Sequence, residues 1–266
     1  MQKTLLDLTE RIESLNLKRS SVIPWSSPIP VFGSLNFAKI ATLGINPSNR
    51  EFVDAKGNEL AGALRRFHTL DSFGLKRWKD VKTSHLNEIL RSCEKYFDRN
   101  PYDGWFKSLD AIINRTSASY YSKTAHACHL DLIPYATSLK WTNLSSDQKK
   151  HLFESVGDSL GLLIRNSGVG VLVLNGKTVA KTLAQVSDVI YETKEQPSWT
   201  LSRKNGENVV GYSYQGYMRQ VGNTRLKKDV LVVGFNHNIQ SSFGVTNDAR
   251  TAIGTWIANT TKRGLL

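Results

Sequence analysis

The chain has 266 residues, 40% of them hydrophobic, with 35 Lys and Arg against 23 Asp and Glu for a formal net charge of +12. That length supports one large single-core domain or at most two; its two cysteines, Cys93 and Cys128, exclude a four-cysteine cluster and argue against a disulfide scaffold, as expected of a reduced, cytoplasmic protein. The longest apolar runs, such as Val169–Leu174, are too short to span a bilayer, the N-terminal segment lacks a signal-peptide core, and the cationic excess points to a polyanionic partner that releases counterions on binding.

Leu5, Leu6, Leu8, Ile12 and Leu15 recur at helical spacing and predict a helix over about 3–16. Pro24, Pro28 and Pro30 impose an extended approach to a first strand, Phe37–Leu43. Helices are expected at Leu60–Thr69, His85–Asp98 and Gly104–Asn114, then a strand from His126 to Ile133, stopped by Pro134. Ser146–Asn166 reads as one helix leading into the strand Val169–Leu174, and Asn175-Gly176-Lys177 opens a helix over Thr178–Gln185. Asn205-Gly206, between Trp199–Arg203 and Asn208–Tyr214, is a hairpin signal that predicts a decoration at about 198–215. Val230–Phe235 is the last core strand and Asp248–Thr261 the closing helix.

Strands alternating with helices imply an α/β fold, a three-layer α/β/α arrangement with a mostly parallel central sheet. No repeat, low-complexity tract or linker interrupts the chain, so residues 1–266 are expected to form a single domain, and a monomer. No basic amphipathic helix with a clean apolar face and no lipidation signal suggests a membrane surface. His126 and His129 lie two apart on one strand face without the further spacing of a metal site, so neither metal nor cofactor is expected.

Two polar segments follow predicted strands, Gly44-Ile45-Asn46-Pro47-Ser48 and Gly234-Phe235-Asn236-His237-Asn238. In an open α/β sheet, ligands bind beyond the carboxyl ends of the strands, so these loops are expected to face each other across a pocket. The Asn46 amide holds a water or a base edge, and the second loop, with Asn236, His237, Asn238 and Gln240-Ser241-Ser242, suits a planar heterocycle or sugar-phosphate. Glu51 and Asp54 follow the first segment and are candidates to activate a water; Phe52 is a candidate to stack on a base, and Trp105-Phe106 a candidate pocket wall.

Gly44-Ile45-Asn46-Pro47-Ser48 resembles the first motif of the uracil-DNA glycosylase superfamily, closest to the Gly-Ile-Asn-Pro-Gly of its mismatch-specific thymine and uracil branch. Leu174-Asn175-Gly176-Lys177 resembles a strand-to-helix turn of that branch, and Asn236–Ser242 falls where its second motif lies. The resemblance runs from about Phe32 to Ala258. It implies the superfamily's fold and a monofunctional DNA glycosylase that flips a base from duplex DNA and hydrolyses its glycosidic bond, leaving an abasic site. It implies catalytic roles for Asn46, which would position the water, and His237, which would stabilise the departing base. The second motif lacks its prolines, so either Asn236 or His237 is the base contact, and Ile239, Gln240 or Phe243 the intercalating side chain.

Ser48 takes the place of a bulky Tyr in uracil-only members, which leaves room for a 5-substituent, and Asp131 falls where the family carries a base-reading Asn. A carboxyl group pairs with a cytosine edge, given a raised pKa. Together Ser48 and Asp131 point to a 5-modified cytosine, and the resemblance, whose family includes phage-defence members, implies the glucosylated hydroxymethylcytosine of phage DNA as the favoured substrate, in an antiviral role. Ordinary uracil or mismatch repair, and a non-catalytic sensor of modified DNA, are the alternatives. Phe52, Asn236, Asn238 and Gln240 complete the expected base-binding set, and Arg65, Arg66, Lys177, Arg225, Lys227 and Lys228 the expected DNA-phosphate contacts.

Overall fold

The computed structural model describes residues 1–15, 17–99, 103–124, 126–203, 206–240 and 244–264. In chain order its elements are α1 (Gln2–Ser14), the single turn α2 (Leu17–Ser20), β1 (Ile40–Gly44), α3 (Thr83–Glu94), α4 (Asp103–Ile113), β2 (Ala127–Asp131), α5 (Ser146–Val156), α6 (Ser159–Ile164), β3 (Val171–Asn175), α7 (Lys177–Val186), β4 (Glu192–Glu195), β5 (Leu201–Ser202), β6 (Asn208–Val209), β7 (Tyr212–Val221), β8 (Thr224–Phe235) and α8 (Asn247–Gly264).

Six strands form one sheet in the order β2-β1-β3-β8-β7-β4; β2, β1, β3 and β8 run parallel, while β7 is antiparallel to β8 and β4 to β7. Every residue of β2 and every residue from Val230 to Phe235 is buried. Because successive side chains point to opposite faces, both faces of the sheet are covered, the usual state of a parallel sheet. α6 and α8 both pack on β8, α7 packs on β3, and α4 packs on α8, an arrangement consistent with three α/β/α layers. One contiguous apolar core runs from Leu5 on α1 to Ile257 on α8. Cys93 and Cys128 are buried free thiols within it.

Local chemistry explains the boundaries. α5 starts at a reciprocal capping box: Ser145 Oγ accepts from Gln148 N at 3.1 Å, and Gln148 Oε1 accepts from Ser145 N at 2.8 Å, a device worth about 1 kcal/mol. The proline-bearing segment is extended and closes the outer edge of β2, where Phe32 and His129 exchange backbone hydrogen bonds of 2.9 and 3.0 Å.

Several expected elements differ. No helix spans Leu60–Thr69; only a 3₁₀ turn, Gly62–Leu64, forms there. Leu60 and Phe67 are buried but Leu64 is 72% exposed, so the apolar stripe a helix needs is missing. The expected helix over Ser146–Asn166 is two helices, broken at Gly157-Asp158, where Asp158 takes Arg11 as its partner. β1 starts at Ile40 because Phe37 is 68% exposed. The expected hairpin shrinks to the two-residue pair β5–β6, with Asn205 outside the described residues, while Tyr212 begins the long strand β7 instead. β8 begins at Thr224, ahead of its apolar run, because its first half pairs with β7 alone. No helix among the described residues is long and apolar enough to cross a membrane.

Candidate functional site

The four parallel strands end together at Gly44, Asp131, Asn175 and Phe235, with Gly44 paired to Asp131 and Asn175 to Phe235. A cavity of about 630 Å³ opens beyond that edge, within the ~300–1,000 Å³ of small-molecule sites. The loop after β1 lines it with Asn46, Pro47, Ser48, Asn49 and Glu51; β2 adds His129 and Asp131, and α4 adds Trp105 and Phe106. Exposed Leu139 and Lys140, with Trp141, form part of its lip, and Asn238 and Gln240 also line it.

Asn46 is oriented by its donors. Its Nδ2 donates to Thr137 Oγ1 at 3.0 Å, Pro47 O at 3.1 Å and Tyr135 O at 3.5 Å. Thr137 spends its own hydroxyl proton on Leu139 O at 2.7 Å, so it can only accept from Asn46. That fixes the amide flip and leaves Asn46 Oδ1 without a partner among the described residues, free to accept from a water or ligand.

His129 and Asp131 project from the same face of β2, His129 Nε2 standing 3.6 Å from Asp131 Oδ1. Behind them, Thr42 Oγ1 lies 2.5 Å from Tyr120 OH and 2.7 Å from His129 Nδ1. Burial holds the Tyr120 phenol well above its usual range, so it keeps its proton. Thr42 is its hydrogen-bond partner among the described residues, and the arrangement that satisfies all three groups has Tyr120 donating to Thr42 and Thr42 donating to Nδ1, which places the His129 proton on Nε2. The cavity therefore presents an N–H donor beside a carboxylate acceptor. Phe32, Trp105 and Phe106 surround this imidazole, with ring centroids 5.6, 5.4 and 5.3 Å away.

Glu51 is 3% exposed, yet its Oε2 has no hydrogen-bond partner among the described residues and lies 3.7 Å from Arg66 Nη1. Tyr96 donates to Oε1 at 2.9 Å. Burial pushes this carboxyl group up to about 7, with the negative charge of Asp131 adding to the rise and Tyr96 and Arg66 opposing it. Asp54 is otherwise engaged: its carboxylate accepts from Lys56 N, Asn58 N and Asn58 Nδ2 at 2.7, 2.9 and 3.1 Å, which shapes a turn.

The structure redistributes the expected site residues. Asn46, Ser48, Asp131, Asn238 and Gln240 share the cavity, and Ser48 is exposed there. His237 does not: it is buried, and its Nε2–H donates to Trp199 O at 2.7 Å, while burial lowers its pKa below the usual imidazole range. Asn236 is equally committed, accepting from Tyr212 N and donating to Val210 O, both at 2.7 Å. Phe52 is 1% exposed and packs against Trp25 and Phe67 in the core. Ile239 is buried, and Gln240 is tied to Asn175 Nδ2 at 3.0 Å and Trp105 O at 3.5 Å. Ser241, Ser242 and Phe243 lie outside the described residues.

The expected phosphate contacts split. Lys177 opens α7 at the cavity's edge of the sheet. Arg66 turns inward, to Arg50 O at 2.8 Å and to Glu51. Arg225, Lys227 and Lys228 sit at the far end of β8; at about 3.3 Å per residue, Arg225 is roughly 30 Å along the strand from Phe235. Lys228 donates to Gly168 O at 3.0 Å. His129 was missed as a site residue, although its spacing of two from Asp131 on one strand face was a usable signal; nothing in the sequence pointed to Phe32, Thr137 or Lys140.

No group of three or more His, Cys, Asp or Glu side chains placed to hold a metal ion occurs among the described residues. Comparison with protein-family models finds none that matches the chain, and comparison with curated proteins finds no match.

Proposed function

We propose that the chain is a DNA glycosylase that takes an extruded, 5-modified cytosine into this cavity and hydrolyses its N-glycosidic bond. The observation that carries the reading is the convergence of Asn46, Glu51, His129 and Asp131 on one aromatic-walled cavity at the carboxyl edge of the sheet. Asp131 would accept from the cytosine N4 amine while His129 Nε2–H donates to N3, so the carboxyl group need not be protonated to read that edge. Exposed Ser48 and a cavity of about 630 Å³ leave room for a bulky 5-substituent. The resemblance of Gly44–Ser48 to a glycosylase first motif and the net charge of +12 support a nucleic-acid substrate.

In this mechanism Asn46 Oδ1 orients a water, Glu51 takes its proton, and the water oxygen bonds to the anomeric carbon as the carbon–nitrogen bond breaks. The bonding pair leaves with the base, where His129 Nε2–H stabilises the developing charge. The proton held by Glu51 then passes to the departed base. A buried carboxyl group held near neutrality suits that exchange.

The same donor and acceptor also read uracil, with His129 donating to O4 and Asp131 accepting from N3–H, so uracil repair is the second reading. The deciding assay measures base release, followed by alkaline strand cleavage, on uracil-containing DNA, plain DNA and DNA with glucosylated hydroxymethylcytosine. Cleavage of the last alone, slowed by about 10²–10³-fold in Asn46→Ala, is expected. Cleavage at uracil alone establishes the second reading, and tight binding of modified DNA without base release establishes a sensor.

A further inference from the structure

A second cavity, of about 480 Å³, lies behind Glu51. Arg65, Arg66, His68, Arg91, Lys95 and Tyr96 line it. Arg91 meets Glu88 at 3.4 Å on an exposed face, and Arg65 Nε is buried with no hydrogen-bond partner among the described residues. Burial, followed by the positive charge of Arg65, lowers the pKa of His68. A cavity lined by three arginines and a lysine is matched by the multiple oxygens of a phosphate.

The two cavities share a wall. Arg66 and Tyr96 line the cationic one, while Glu51, the acid they both contact, lines the other. From this geometry we infer that the Arg65–Arg91–Lys95 cavity binds a phosphate group, and that Arg66 couples its occupancy to Glu51. A phosphate there draws on the positive charge of Arg66 and withdraws stabilisation from the Glu51 carboxylate, whose other charged and titratable neighbours are Tyr96 and Asp131. Glu51 then holds its proton more tightly. Two sources carry this chemistry, the backbone of a bound DNA strand and a small phosphate-bearing molecule. The phosphate affinity stands independently of base release.

The test is calorimetric titration of the whole protein with inorganic phosphate, on the wild type, Arg65→Ala, Arg91→Ala and the distant pair Lys227→Ala with Lys228→Ala. Binding to the wild type that weakens at least about tenfold in both arginine variants, and is unchanged in the lysine pair, is expected. No binding to the wild type, or equal binding by the arginine variants, overturns the site. An unmodified single-stranded oligonucleotide that competes with phosphate identifies the strand backbone as the source; its failure to compete identifies a small molecule. Carbon-13 NMR of the Glu51 carboxyl group, assigned with Glu51→Gln, reads the coupling: saturating phosphate moves its titration upward, and an unmoved titration overturns the link. None of these measurements depends on base release, so their failure is distinct from failure of the glycosylase reading.

Discussion

Gly44 and Asp131 are direct register partners on β1 and β2, and a methyl group on Gly44 would stand 3.0 Å from His129 Nε2 and closer still to Asp131 Oδ1. Both side chains are 4% exposed. Gly44→Ala is expected to displace the donor–acceptor pair and to cost about 1–3 kcal/mol of stability through overpacking. Denaturant unfolding beside a base-release assay checks it; a variant with wild-type stability and activity would show that the pair moves freely.

Asn46 depends on Thr137 for its orientation. Asn46→Ala is expected to slow single-turnover base release by about 10²–10³-fold, the scale of losing one preorganised polar group. Thr137→Val removes the acceptor that fixes the amide and should cost about tenfold or more while leaving substrate affinity close to normal. Equal losses in affinity and rate would instead mark Thr137 as a general packing residue.

Glu51 predicts opposite pH trends for chemistry and stability. As the proton acceptor it is active when ionised, so base release should rise with pH through about 7, and this limb should vanish in Glu51→Gln. For stability, a carboxyl group raised by burial binds its proton more tightly folded than unfolded. The native state therefore loses stability as pH rises from about 4.5 to 7. Relative to wild type, Glu51→Gln should gain on going from pH 5 to pH 8, by about 3 kcal/mol at most. Melting curves at the two pH values decide the sign.

His237 is assigned a structural part. Replacing it with Ala leaves the Trp199 carbonyl without its donor and should cost about 1–3 kcal/mol. Base release per folded molecule should be unchanged. A selective loss of rate with intact stability would return His237 to the chemistry.

Charge position separates the two ends of the sheet. Lys140→Glu, at the cavity lip, should weaken DNA binding and lower the magnitude of its salt slope by about one. Joint reversal of Arg225, Lys227 and Lys228, at the far end of β8, should do less. Binding measured across a salt series tests both.

The first half of the site was legible because a short apolar run stopping at Gly-Ile-Asn-Pro places Asn46 just past a strand end, whereas Asp131 was singled out through the motif resemblance. The second loop was not. Asn236, His237 and Asn238 follow one another without a period, and which of them faces the cavity is decided from afar. Trp199 O captures His237, Val210 O and Tyr212 N capture Asn236, and among the described residues of the loop Asn238 and Gln240 are left to the cavity. The misplacement of Arg225, Lys227 and Lys228 has a similar origin: the hydrophobic run marks only the stretch of β8 covered on both faces, while its exposed first half extends away from the site.

Tyr120, Thr42 and His129 have one heritable consequence. Their hydroxyls and ring nitrogen form a single directed chain in the interior, so replacing Tyr120 with Phe leaves Thr42 short of a donor, and replacing Thr42 with Val strands a phenol and an imidazole nitrogen together. Such orphaned groups are costly in a dry core. The three positions therefore constitute one unit of variation. In descendants of this sequence they are expected to persist together or be exchanged together, although they come from three separate stretches of the chain.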